Sequence, residues 1–324
     1  MSGATLRLLP PELLSRLKTL ELRSRRVVDG VLTGLHRSPL HGASVEFSEH
    51  AQYSPGDEIR HIDWRVFGRS DRAMVRRYEH ETNLQVLVVL DVSSSMAYQS
   101  PAAPLSKWAF GARLAAALGY LVLRQQDAVG LLLTRDGGGR SAPSDTYLPP
   151  RARSSHLESL CELLEKHPPS ERRATSLLGA LSTLNERLGR RGLVFVVSDF
   201  FEDETRPDEP PAWFRVAAEL ERQGHHLGLL QVLDPWEVEF PFTDMTVFES
   251  LESGERSTLD PRLVRSSYLD ALRSFTRGLR VHAARSGLDF RAFDTRSPVD
   301  AALAAFLTGN RASREAPEPF EGAP

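Results

Sequence analysis

The segment Leu84-Gln85-Val86-Leu87-Val88-Val89-Leu90-Asp91-Val92-Ser93-Ser94-Ser95 decides the fold. Val86 to Leu90 is an unbroken apolar run rich in β-branched residues, the signature of a strand covered on both faces. The run stops at a carboxylate followed by hydroxyls at alternate positions. Three further runs share its character: Ala128–Leu133, Leu193–Val197 and His226–Val232. Helical periods fall between them, at Lys107–Gln125, Ser154–Lys166, Ser176–Leu188 and Pro211–Arg222. Strands alternating with helices predict an α/β fold, a doubly wound, mostly parallel sheet.

Downstream, Asp260 is the expected N-cap, Pro261 the first helical residue and Gly287 the residue past the end of a long helix. Its apolar face is Val264, Tyr268, Leu272, Phe275 and Leu279. Leu288–Phe293 then reads as a strand and Val299–Leu307 as a closing helix. Upstream, Pro10 to about Leu32 has helical spacing. From Gly34 to Glu81 no helical period survives, and short β-prone pieces occur at Ala43–Phe47 and Ala73–Tyr78. The chain is therefore divided into an N-terminal helix and β-rich extension (1–83), an α/β domain (84–310) and a tail (311–324) expected to be disordered. The extension is poor in independent core and is expected to add to the sheet of the α/β domain.

Composition narrows the function classes. The 324 residues are 41% hydrophobic and 26% charged, with a net charge of -3. Acidic residues interleave with the arginines, whereas a nucleic-acid face needs a clustered basic stripe. The apolar window Leu114–Leu123 is half of a ~20-residue membrane span and is bounded by Arg113 and Arg124, so it reads as a buried helix. The single cysteine, Cys161, can form no intrachain disulfide and reads as a buried thiol. The beginning of the chain lacks a signal-peptide pattern. A cytoplasmic protein with no membrane span and no nucleic-acid partner is expected.

The chemistry concentrates at Asp91-Val92-Ser93-Ser94-Ser95. In an open α/β sheet, ligands bind where loops converge beyond the carboxyl ends of the strands. Asp91, Ser93 and Ser95 can direct several oxygens towards one point, and hard cations such as Mg²⁺ take oxygen ligands in an octahedral shell at ~2.0–2.1 Å. Thr175, before a helix, and Asp199, after the strand Leu193–Val197, fall at strand ends on the same edge. The alternative for such residues is helix capping.

Asp-x-Ser-x-Ser, a later Thr and a later Asp resemble the metal-ion-dependent adhesion site of von Willebrand factor A-like domains. Pro55-Gly56-Asp57-Glu58-Ile59-Arg60-His61-Ile62-Asp63-Trp64-Arg65 is similar to the hallmark of the bacterial domain of unknown function family fifty-eight, which precedes such a domain. Arg77-Tyr78-Glu79-His80-Glu81 and Val197-Ser198-Asp199-Phe200 fit the same family. The resemblance runs from about residue 30 to residue 308. It implies a von Willebrand factor A-like fold with Asp91, Ser93, Ser95, Thr175 and Asp199 carrying Mg²⁺ or Mn²⁺, directly or through waters. It also implies a protein-interaction role beside a MoxR-type AAA+ ATPase in protein assembly or activation.

The chain departs from the family pattern at Arg173-Ala174 before the threonine, at Ser176 after it, and at Glu49-His50-Ala51-Gln52, where an arginine is expected. Hydroxyl ligands are neutral and leave much of an ion's charge uncompensated, so an open coordination position would attract a partner's carboxylate. A metal-free scaffold is the alternative. A metal-dependent hydrolase is disfavoured, because position 93 is Ser where an aspartyl phosphatase has a second Asp, and Gly-x-Ser-x-Gly is absent. Asp57, Glu58, Arg60, Asp63 and Arg65 read as ion pairs and turn caps fastening the extension, the alternative being a binding loop or acid/base site. Gly137-Gly138-Gly139 lacks the Lys-Ser/Thr of a phosphate loop, and His225-His226 lack zinc-ligand spacing.

Overall fold

A computed structural model describes residues 2–18, 45–52, 74–80, 84–134, 146–169, 176–189, 191–201 and 210–308. The helical start comprises α1 (Gly3–Leu8) and a helical stretch at 11–18 (α2), and two strands follow, β1 (Val45–Gln52) and β2 (Met74–His80). The α/β part runs β3 (Gln85–Leu90), a 3₁₀ turn (Ser94–Ala97), α3 (Lys107–Arg124), β4 (Ala128–Leu133), β5 (Tyr147–Arg151), α4 (His156–Lys166), α5 (Leu177–Arg187), β6 (Gly192–Ser198), α6 (Ala212–Arg222) and β7 (His226–Leu233). It closes with α7 (Pro235–Glu239), a hairpin of β8 (Thr246–Glu249) and β9 (Arg256–Leu259), α8 (Pro261–Ser286), β10 (Asp289–Asp294) and α9 (Val299–Thr308).

Six strands form one sheet in the order β10-β7-β6-β3-β4-β5. Every neighbouring pair is parallel except β4–β5. The chain enters at β3 in the interior, builds out to β5, then returns to the other side of β3 to lay down β6, β7 and β10. The order therefore reverses between β3 and β6, which is the topological switch point of a doubly wound sheet. The antiparallel β5 was not expected from periodicity. Its Pro149 and Pro150 lack the N–H that a central strand must donate, and an edge tolerates them.

Helices cover both faces. Leu87 and Val89 of β3 share a core with Leu181 and Leu184 of α5 and Trp213 and Ala217 of α6. The opposite face receives α3, whose Phe110, Leu114 and Leu118 are buried. Gly111 permits that approach, since a Cβ there would lie 2.8 Å from the Leu90 side chain. Leu9, Leu13 and Leu17 of the N-terminal segment are also buried. That segment is fastened to α4, where the Ser2 N–H donates to Glu158 Oε1 at 3.0 Å and Arg7 Nε to Glu165 Oε1 at 2.6 Å. The long helix α8 ends as read, capped by the Asp260 side chain on the Arg262 N–H and by Gly287 in the left-handed region.

Two compact units result, one of residues 1–31 with 84–324, the other of residues 32–83. Within the second unit, β1 and β2 pair antiparallel with each other in a sheet of their own, from Val45↔His80 to Gln52↔Met74. The two strands use each other as hydrogen-bonding partners. Residues 19–32 of the expected N-terminal helix and the motif Pro55–Arg65 lie outside the described residues, as does the triple glycine at 137–139.

Candidate functional site at the switch point

The carboxyl ends of the parallel strands share one edge, and the first residue beyond each is polar. Asp91 follows β3, Thr134 follows β4, Asp199 follows β6, Asp234 follows β7 and Thr295 follows β10, all five buried; the first four surround the switch point. A polar group taken out of water must find partners or cost free energy, and these four find one another's neighbourhood.

Asp91 is held by three donors. The Ser93 N–H and the Thr134 hydroxyl both donate to Oδ1 at 2.9 Å, and the Ser198 hydroxyl donates to Oδ2 at 2.6 Å. The Asp91 N–H donates to the Val197 carbonyl at 2.9 Å, tying the ends of β3 and β6 together. Ser93 is buried and Ser95 half-buried, with their Oγ atoms 3.0 Å apart. That spacing is a hydrogen bond between hydroxyls. It is also the edge, ~3.0 Å, between adjacent ligands of an octahedral ion with oxygens at ~2.1 Å. The Ser93 and Ser95 hydroxyls thus have the spacing that a hard divalent cation requires of adjacent ligands.

Asp199 is placed differently. Its Oδ1 accepts from the Phe201 N–H at 3.1 Å, while its Oδ2 lies 2.7 Å from Nζ of Lys107, a side chain with no exposure. The same ammonium lies 2.6 Å from Glu237 Oε1 and faces the Phe201 ring at 5.4 Å. Burial by itself would lower the Lys107 pKa, but the two carboxylates outweigh it and hold the ammonium above its ordinary value. Burial also pushes up the Glu237 carboxyl, against the pull of Lys107. Tyr98 is pushed up to about 12, first by burial and then by Asp234 and Glu237. Asp199 is therefore engaged by the Lys107 ammonium and the Phe201 N–H, one residue beyond the Ser198 that holds Asp91.

The turn after β6 is tight. The Phe200 N–H donates to Ser198 Oγ at 2.8 Å, and Phe200 sits at φ 63, a region that non-glycine residues seldom occupy. Its ring stacks on Trp213 at 5.2 Å, which holds the turn in place. Beyond β7, Asp234 opens α7 as a capping box. Its Oδ1 accepts from the Trp236 N–H, and Glu237 Oε2 accepts back from the Asp234 N–H, both at 2.8 Å. Asp234 Oδ2 also accepts from the Ser100 N–H at 2.9 Å, so the loop after β3 is anchored to β7.

Thr175 lies outside the described residues. Its neighbour Ser176 caps α5, accepting from the Gly179 N–H at 3.1 Å. Among the described residues no three His, Cys, Asp or Glu side chains gather as a metal-holding group. Sequence reasoning missed Thr134, Ser198, Lys107 and Glu237. Lys107 was legible as an anomaly: it is the first residue of α3, where the helix dipole disfavours a cation, in a chain with only two other lysines. Glu237 was legible as the fourth residue of Asp234-Pro235-Trp236-Glu237, a capping-box spacing.

A doubly wound α/β sheet with Asp-x-Ser-x-Ser at its switch point defines the class, a von Willebrand factor A-like domain. The chain belongs to the family described as "Protein of unknown function DUF58", which matches residues 49–276. Uncharacterized proteins of Mycobacterium bovis and Mycobacterium tuberculosis are each 28% identical over 256 residues, covering 78% of this chain and 76% of the relative. Among solved structures, the conserved hypothetical protein BatB from Bacteroides thetaiotaomicron is similar at a TM-score of 0.42 and 15% identity, over 70% of this chain and 98% of that one. A von Willebrand factor type A protein from Catenulispora acidiphila is similar at a TM-score of 0.37 and 13% identity, over 73% of this chain and 42% of that one. Among the described residues no helix is long and apolar enough to cross a membrane.

Proposed function

We propose that this protein is a non-enzymatic, cytoplasmic interaction module that grips a protein partner through a divalent cation. Mg²⁺ or Mn²⁺ would be held by Asp91, Ser93, Ser95, Thr175 and Asp199. The observation that carries the reading is the pair of Ser93 and Ser95 hydroxyls 3.0 Å apart beside a fixed Asp91 at the switch point. A bound ion supplies one positive, partly open coordination position to a carboxylate of the partner. The chain's own residues supply the rest: Thr134 and Ser198 orient Asp91, and the Ser198–Phe201 turn positions Asp199. The family resemblance of the motifs implies a MoxR-type AAA+ ATPase as the partner, acting in protein assembly or activation.

A second reading, a metal-free scaffold, is favoured by one observation, the pairing of Asp199 with Lys107 at 2.7 Å. A hydrolase reading is disfavoured by Asp91 itself, whose two oxygens are engaged by three donors instead of being presented for attack.

Calorimetric titration of chelator-treated protein with Mg²⁺ and Mn²⁺ tests the reading, with Asp91→Ala and the gentler pair Ser93→Ala/Ser95→Ala alongside. Saturable binding by the wild type that both variants lose is the expected result. Binding that survives in both variants would place the ion elsewhere.

A further inference from the structure

We infer that Lys107 is a built-in cation that sets the affinity of the adhesion site for divalent metal, by holding Asp199 and Glu237 in a buried ion cluster. The inference rests on the metal-site reading of Asp91, Ser93 and Ser95. It assigns Lys107 and Glu237 as positioning residues of that site.

Three observations carry it. Lys107 is fully buried, and its ammonium touches two carboxylates, Asp199 at 2.7 Å and Glu237 at 2.6 Å. Its backbone opens α3, where a positive charge opposes the helix dipole. The cluster also shares Asp199 with the proposed ligand set, and Asp199 directly follows Ser198, which donates to Asp91 Oδ2.

Burying an ion cluster is a poor route to stability, since well-packed apolar side chains of similar volume often serve as well or better. A cation placed against both burial and the helix dipole is better explained by its charge. In an effective dielectric of ~20, one unit of charge near a bound ion changes its affinity by roughly tenfold or more. Lys107 competes with an incoming ion for Asp199 and repels that ion. Glu237 partly offsets this, and its second oxygen is held by the Asp234 N–H. Affinity for metal, and with it the strength of the grip on a partner, is then tuned by residues that touch neither ion nor partner.

The test is a charge series on the full chain, titrated calorimetrically with Mn²⁺. Lys107→Met removes one positive charge and should bind at least tenfold tighter than wild type. Glu237→Gln removes one negative charge and should bind several-fold weaker. The double variant restores the wild-type net charge and should return towards wild-type affinity. A purely structural role for Lys107 predicts another pattern, loss of stability with metal affinity unchanged or reduced, and that result in folded Lys107→Met overturns the inference. So does tighter binding that persists when Asp91→Ala is added, because the ion would then occupy the space vacated by the ammonium.

If circular dichroism shows that Lys107→Met does not fold, Glu237→Gln decides: weaker Mn²⁺ binding supports the inference, and equal or tighter binding overturns it. Should wild type bind no Mn²⁺, the adhesion reading fails on its own. Binding gained by Lys107→Met would still support the inference, and no binding in either would end both.

Discussion

Ser198 donates its hydroxyl to Asp91 Oδ2 at 2.6 Å, and the bond joins the ends of β6 and β3 across the switch point of the sheet. The same oxygen accepts the Phe200 N–H, so a single buried hydroxyl fixes both the site carboxylate and the strained turn beside it.

Ser198→Ala is therefore expected to cost about 1–3 kcal/mol, the penalty for leaving buried partners unsatisfied. Urea denaturation should show a lower midpoint with an unchanged slope. A variant with the wild-type midpoint would mean that Asp91 and the Phe200 N–H find other partners.

Cys161 should be inert in the native protein. Burial, the largest influence, pushes its thiol to about 11, and Glu165, Glu158 and Glu162 add to the shift against the Thr5 hydroxyl. At pH 8 the reactive thiolate is then about a thousandth of the population. An aromatic disulfide reagent should leave the native protein unmodified and label it fully in guanidinium. Prompt labelling under native conditions would contradict the packing of α1 and α2 as described.

The central strands were legible because an apolar, β-branched run such as Val86–Leu90 can be satisfied in one way only, by cover on both faces. The caps of α8 were legible for a similar reason, since Asp260, Pro261 and Gly287 act locally. What escaped was non-local or short. Tyr147–Arg151 becomes a strand because the edge beside β4 is open to it, and Leu148 and Pro149 carry no alternating pattern that announces a strand. Among the described residues Thr246–Glu249 and Arg256–Leu259 pair only with each other, with Phe248 stacked on Phe240. At the site, Asp91, Ser93, Ser95 and Asp199 stood out as strand-end residues. Thr134 and Ser198 look like ordinary strand ends until the register brings their hydroxyls to one carboxylate. The Lys107–Glu237 contact spans 130 positions, and spacing along the chain cannot reveal it.

Asp127 gives a pH prediction. Burial pushes its carboxyl to about 6 against the hydrogen bond from the Leu84 N–H, where the unperturbed value is 3.8. The folded state then holds this proton more tightly than the unfolded chain. The contribution to stability is full below the unfolded value and is lost as pH rises through the folded one. Asp127→Asn keeps an acceptor for Leu84 and removes the charge, so its melting temperature should exceed that of wild type at pH 7.5. At pH 3.5 the two should coincide. An equal difference at both pH values would trace the effect to packing instead of charge.

Asp234 gives the last. Fully buried, it uses one carboxylate oxygen to cap α7 through the Trp236 N–H and the other to hold the Ser100 N–H. An amide has a single acceptor oxygen, so Asp234→Asn must abandon one of the two. The cost should be about 1–2 kcal/mol, the range for a lost cap or an orphaned buried N–H. The backbone N–H of residue 234 remains, so Glu237 keeps its second partner and the cluster on Lys107 stays assembled. Hydrogen exchange distinguishes the two sacrifices. If the amide keeps the cap, the Ser100 N–H should lose protection while that of Trp236 stays protected. If it keeps Ser100, the order reverses. Full protection at both positions, with no loss in the urea midpoint, would show that the anchoring of the β3 loop to β7 does not depend on this carboxylate.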